Sequence, residues 1–188
     1  VMVDGSQYGP YDTFEQFMNE DVATAMVSAT SIIFKYQENG DKYVEGNGYK
    51  VTSIGGMAFI FNTNITKVTL PQNLTSIGDN TFQDCSGLTE VDFSDCTNLI
   101  SIGRNAFSSC TGLAEVDLSN CTSLTSIENY AFDGCNGLER IVFPNTTGWY
   151  RANSSTETSG TDLDMSDPEQ NATWLTDTYN SYYFKRNA

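Results

Sequence analysis

The sequence predicts a short α/β repeat solenoid, in which coils of 23–25 residues stack so that successive short strands pair in parallel. Three observations carry this. A Ser-Ile pair is followed by Phe five residues after the Ile, at Ile54/Phe59, Ile77/Phe82, Ile102/Phe107 and Ile127/Phe132. A second apolar set keeps the same steps: Ile65, Leu88, Leu113 and Leu138, followed by Val68/Leu70, Val91/Phe93, Val116/Leu118 and Ile141/Phe143. All five cysteines are repeat positions, with Cys85, Cys110 and Cys135 in one column and Cys96 and Cys121 in another. One unit cannot bury its own apolar residues, whereas stacked coils cover one another.

Within a unit, the alternation Leu88-Thr89-Glu90-Val91-Asp92-Phe93 suits a strand with one buried face. The Ile-Gly-x-x-x-Phe stretch forms the other side of the coil, with Gly55, Gly78 and Gly103 expected to ease its turn. The unit from Leu88 to Ile102 reads L-x-x-V-x-F/L-x-x-C-x-x-L-x-S-I, close to the leucine-rich repeat pattern. Cys96 and Cys121 match the Asn/Cys column of that pattern, and Asn73 is the expected occupant in the 23-residue unit. The segments LTSIGDNTFQDCSGLTEVDF and LISIGRNAFSSCTGLAEVDL resemble BspA-like leucine-rich repeats. The resemblance implies a right-handed solenoid in surface or secreted bacterial proteins, some linked to adhesion. It does not transfer a ligand.

The expected organisation is one structural domain in three parts. Residues 1–50 form an N-terminal cap: a helix over about 13–28, from the capping-box pair Thr13/Gln16 and the helical spacing of Phe14, Phe17, Met18, Val22, Ala25 and Met26, then a hairpin over about 31–45 around Asn39-Gly40. Residues 51–144 hold four repeats of 23–25 residues. Residues 145–188 form a C-terminal β cap, in which Tyr179 to Arg186 pairs with the Trp149 stretch, with a short helix around Pro168 to Leu175 between them.

Charge narrows the functional classes. With 24 acidic and 9 basic residues the net charge is -15, which excludes a phosphate backbone as natural partner. No histidine is present, so Ser-His-Asp and Cys-His catalysis and His-ligated metals are excluded. No apolar run reaches the ~20 residues of a membrane-spanning helix. Val1 to Pro10 is polar, so a surface location carries the expectation that a signal or lipoprotein anchor has been removed. No phosphate loop, nucleophile elbow or metal motif appears, so a non-enzyme without cofactor or metal is expected.

The candidate site is the strand face. One outward column runs Lys67, Glu90, Glu115, Arg140, and the next Thr69, Asp92, Asp117, Val142. Parallel strands lie about 4.8 Å apart, so the carboxylates make a compact acidic patch flanked by cations. The expected function is a non-catalytic surface or secreted adhesion module that recognises a protein, either a host matrix protein or a bacterial surface macromolecule, through these six charged residues. Two alternatives stand beside it: a glycan platform built from Trp149, Tyr150, Trp174 and Tyr182, and a passive spacer. Equivalent cysteines have parallel Cα–Cβ vectors, so buried free thiols are expected rather than disulfides. Asp162, Asp164, Asp167 and Glu169 suggest a calcium loop, but Asp167 stands where an EF-hand needs Gly. Six Asn-x-Ser/Thr sequons begin at Asn64, Asn73, Asn120, Asn145, Asn153 and Asn171, as a chain rich in these residues gives by chance.

Overall fold

The computed structural model describes the backbone of Met2–Val3, Ser6–Gln7 and Ser31–Ile33, and the whole of residues 52–187. The first strands are β1 (Met2–Val3), β2 (Ser6–Gln7) and β3 (Ser31–Ile33). Through the repeats come β4 (Ser53–Ile54), β5 (Lys67–Thr69), β6 (Ser76–Ile77), β7 (Glu90–Asp92), β8 (Ser101–Ile102), β9 (Glu115–Asp117), β10 (Ser126–Ile127) and β11 (Arg140–Val142). The C-terminal segment adds β12 (Trp149–Ala152), β13 (Thr161–Leu163), the helix α1 (Pro168–Thr173), a π-helical turn (Trp174–Thr178) and β14 (Tyr183–Arg186).

Each coil contributes two strands rather than the one expected. Lys67–Thr69, Glu90–Asp92, Glu115–Asp117 and Arg140–Val142 form one column, with only the central Val or Ile buried. The Ser-Ile pairs form a second column, β4-β6-β8-β10, parallel and in register. The buried Val and Ile of the first column and the buried Ile of the second belong to one core, so the columns face each other across it. Between them stack Phe59, Phe82, Phe107 and Phe132, with ring centroids 5.1–5.3 Å apart and planes within 10°.

The α/β expectation is corrected: among the described residues the repeats contain no helix. The side of the coil after each Ser-Ile pair is a run of turns. Each coil holds two residues with left-handed backbone four positions apart: Met57 and Phe61, Asn80 and Asp84, Asn105 and Ser109, Tyr130 and Gly134. A right-handed helix cannot pass through such residues. Their strain is held by bonds between coils. The Met57, Phe59 and Phe61 N–H groups donate to Asp79, Thr81 and Gln83 oxygens, and Asn80, Phe82 and Asp84 donate to Arg104, Ala106 and Ser108.

The role expected for the Ile-Gly glycines is also corrected. None of Gly55, Gly78 and Gly103 has positive φ. A Cβ on Gly78 would lie 2.6 Å from the Gly56 nitrogen, and one on Gly103 would lie 2.7 Å from the Gly78 carbonyl carbon. These glycines permit close stacking rather than a turn. A third correction concerns the 23-residue unit. Its Leu74 N–H donates to Pro71 O, as Leu99 donates to Cys96 O and Leu124 to Cys121 O. Pro71, not Asn73, therefore stands in the cysteine column, and the two missing residues fall between Leu70 and Pro71.

At the N-terminus, β3 is a strand as expected, but it pairs antiparallel with β1 and parallel with β5. The expected helix over 13–28 and the Asn39-Gly40 hairpin lie outside the described residues. At the other end, β14 pairs with β12 and with β10, both antiparallel. The segment takes the place of a next coil. The Asn180 oxygen accepts from Tyr130 N–H at 2.5 Å, and the Asn171 amide donates to Ile141 O at 3.0 Å. The helix α1 starts where Pro168 pre-sets its first turn and Asp167 Oδ1 accepts from the Glu169 and Gln170 amides.

The stacking argument separates two superficially equivalent glycines. Gly103→Ala is expected to destabilise the chain by about 1–3 kcal/mol through overpacking. Gly55→Ala, where nothing lies within 4 Å of the added Cβ, is expected to be neutral or slightly stabilising. Denaturant midpoints of the two variants check this, and similar losses for both would refute the assigned role. Phe107→Ala, removed from the centre of the ring stack, is expected to cost about 3–5 kcal/mol by the same measurement.

Candidate functional site

The strand column brings all six charged candidates onto one surface. Alternation puts Lys67, Glu90, Glu115 and Arg140 outward, exposed, at one register position of β5, β7, β9 and β11. Lys67 Nζ lies 2.6 Å from Glu90 Oε1, and this bond to Glu90 raises the lysine pKa. Arg140 Nε and Glu115 Oε1 are 4.0 Å apart. Both pairs are half exposed, so each contributes little to stability. Their effect is local charge: four carboxylates are set against two cations.

Asp92 and Asp117 are held by their own turns. Asp92 Oδ1 accepts from Ser94 N at 3.0 Å and Asp117 Oδ1 from Ser119 N at 2.8 Å. The first column is split into two sheets between β7 and β9. At that step Glu90 and Glu115, and Asp92 and Asp117, hold equivalent repeat positions, and like charges in equivalent positions oppose pairing. Each glutamate's cation lies on the opposite side, on β5 or β11. The acidic patch is therefore centred on this seam.

The aromatic candidates do not form one platform. Trp149 and Tyr150 are buried, at 1% and 5% exposure. Trp149 packs edge-on against Phe143 at 4.9 Å and its Nε1 donates to Asn145 O. Neither ring can be stacked upon by a sugar from solvent. Trp174 and Tyr182 are partly exposed, and each packs against Tyr179. The guanidinium of Arg151 lies over the Tyr179 and Tyr182 rings at 4.4 and 4.8 Å.

All five cysteines are free and buried. The thiols of Cys85, Cys110 and Cys135 donate to the carbonyls of Phe59, Phe82 and Phe107 at 3.0–3.1 Å, fastening the thiol column to the phenylalanine stack. Burial pushes the Cys85, Cys96 and Cys121 thiols up to about 12. The neighbouring Cys135 thiol, and then burial, raise Cys110 as well. The acidic loop is used internally: Asp164 accepts from Ser166 N, and Asp167 caps α1. Among the described residues no three metal-ligating groups converge. Of the sequons, Asn171 is buried and bonded to Ile141 O and Met165 O, so it is closed to modification in the folded chain.

Sequence reasoning missed Glu139 and Asn180, and placed Glu169 only in a calcium-loop reading. Glu139 sits in repeat register and was legible as an outward residue. Glu169 and Asn180 come from outside the repeats, so no periodic signal marks them.

A stack of turn-built coils with a charged strand face defines a leucine-rich-repeat solenoid. The chain belongs to the BspA-type leucine-rich repeat family, whose model matches residues 44–159 in six copies. The match extends on both sides beyond the four units visible as a strict period. A solved leucine-rich repeat protein from Bacteroides capillosus is 33% identical, with 61% of this chain and 77% of that one covered and a TM-score of 0.49. A leucine-rich cell-surface protein from Faecalibacterium prausnitzii is 18% identical, with 75% of this chain and 55% of that one covered and a TM-score of 0.37. No curated protein sequence matches. No helix among the described residues is long and apolar enough to cross a membrane.

The thiol environment has a measurable consequence. A thiol whose pKa is raised on folding favours the unfolded chain only once the unfolded thiol ionises. Stability is therefore expected to be unaffected by the thiols below pH 9 and to fall as pH rises from about 9 towards about 12. Native thiols are expected to resist a thiol reagent at pH 8 and to react on denaturation. Rapid labelling of the folded chain would contradict their burial.

Proposed function

We propose that this chain is a non-catalytic binding module, surface-displayed or secreted, that holds a protein partner against its strand face. The observation that carries this is the charged patch of Lys67, Glu90, Asp92, Glu115, Asp117 and Arg140 on the outward strand column. Its backbone is already organised, so a partner does not have to order it on binding. Exposed carboxylates outnumber cations there, and the chain's net charge of -15 favours approach by a basic surface. The family supports a surface or secreted location and a scaffold without catalysis. In the same reading, 1–50 and 145–188 are end covers of the repeats in 51–144, all in one domain.

The test is binding of the purified chain to host matrix proteins and glycans at low and high salt. Salt-sensitive binding to a protein is expected, because screening weakens exposed charge contacts. Asp92→Lys with Asp117→Lys is expected to weaken it roughly tenfold or more, since like-charge contacts cost several kcal/mol. Glu90→Gln with Glu115→Gln, which leaves both aspartate-held turns intact, is expected to act in the same direction. Full affinity in both folded double variants would overturn the patch. Salt-resistant binding to a glycan would move the site to Trp174 and Tyr182.

A further inference from the structure

A cleft of about 520 Å³ opens where the end of the strand face meets α1. Its polar lining is Glu139 and Arg140 from the last coil, and Glu169, Thr173 and Thr176 from the C-terminal segment. It is an open surface hollow, since Glu139, Arg140, Glu169 and Thr173 are all exposed. The donor and acceptor inventory is lopsided. Thr173 Oγ1 already donates to Glu169 O, and Thr176 Oγ1 to Ala172 O. Both hydroxyl oxygens can therefore only accept more bonds. The carboxylates of Glu139 and Glu169 have no ion-pair partner among the described residues. Against these four acceptor groups stands one cation, Arg140. Its side chain is 51% exposed, and its contact with Glu115, at 4.0 Å, is longer than a hydrogen bond.

We propose that this cleft receives a lysine side chain of the protein partner, with a neighbouring carboxylate of the same segment on Arg140. This rests on the reading of the strand face as a protein-binding surface, and it specifies how one end of that surface is occupied. A primary ammonium supplies three donors to a lining of acceptors. The guanidinium takes a carboxylate through two parallel bonds. A dianionic phosphate is disfavoured, because Glu139 and Glu169 flank the only cation. Polar groups from both walls of the cleft would be engaged together, so the ligand would bridge the last coil and the C-terminal segment.

The experiment titrates the isotope-labelled full chain with capped tetrapeptides Gly-Lys-Asp-Gly, Gly-Lys-Gly-Gly and Gly-Gly-Gly-Gly, reading amide chemical shifts. Gly-Lys-Asp-Gly is expected to move Glu139, Thr173 and Thr176 and to bind tighter than the other two. Glu139→Gln with Glu169→Gln is expected to weaken it roughly tenfold, the size of a lost charged hydrogen bond. Arg140→Gln is expected to erase the preference for Gly-Lys-Asp-Gly over Gly-Lys-Gly-Gly while leaving Gly-Lys-Gly-Gly bound. Shifts confined to Asp92 and Asp117 would sink the cleft and leave the strand-face reading standing. Equal response to all three peptides would also sink the cleft. Shifts in the cleft that survive Asp92→Lys with Asp117→Lys would support the cleft as a site occupied independently of the central patch.

Discussion

Backbone bonds between coils are the constraint on which the other features of this chain depend. Met57 reaches Asp79, Asn80 reaches Arg104, and Asn105 reaches Asn129, each from an N–H to the carbonyl of the following coil. Such a ladder needs coils at close spacing, and close spacing forbids a Cβ at Gly78 and Gly103. It also over-determines two left-handed residues per coil. That lets Met57, Phe61 and Tyr130 hold a backbone that glycine or asparagine normally takes. The same spacing sets the phenylalanine rings about 5 Å apart and brings the Cys85, Cys110 and Cys135 thiols each to the phenylalanine carbonyl of the coil before it.

A ladder that points one way must end somewhere. The last coil has no successor, and the C-terminal segment supplies its bonds by other means. The Asn180 carbonyl receives Tyr130, antiparallel β14 covers β10, and the Asn171 side chain reaches Ile141 O. The replacement is not complete. Among the described residues four buried side-chain polar atoms lack a partner, Asn129 Oδ1, Arg151 Nε, Asn171 Oδ1 and Arg186 Nη1, and all belong to the last coil or to this segment. An unpaired buried polar group costs about 1–3 kcal/mol, so this junction is less well satisfied than the stack it closes. The cleft beside Arg140 lies on the same junction.

The charged face follows from the same period. Because one unit repeats in register, a charge at one strand position recurs at 4.8 Å or so along the column. Repetition of Glu-Val-Asp in β7 and β9 brings like charges together, and the sheet divides there. The outer coils break the repetition with Lys67 and Arg140, which relieve the column from both sides. A recognition surface and a local weakness in sheet pairing thus have one origin.

What could be read from residues alone was whatever repeats. The strand at Glu90–Asp92, the outward columns, the buried thiols and the core identities of Phe82, Phe107 and Phe132 all follow from period and alternation. The resemblance to the family was legible as well, in segments such as LTSIGDNTFQDCSGLTEVDF. The turn-built side of the coil was not legible, because left-handed backbone at Met57 or Tyr130 has no local sequence signal and is imposed by neighbouring coils. The Ser-Ile strand is two residues long and exists through its pairing partners. Pro71 took the cysteine column because a two-residue deletion hides the alignment until hydrogen bonds reveal it. Burial of Trp149 and Tyr150, and the placing of Glu169 and Arg140 around one cleft, join parts of the chain that share no period. Such contacts are set by how the last coil is closed, a property of the assembled stack rather than of any one segment.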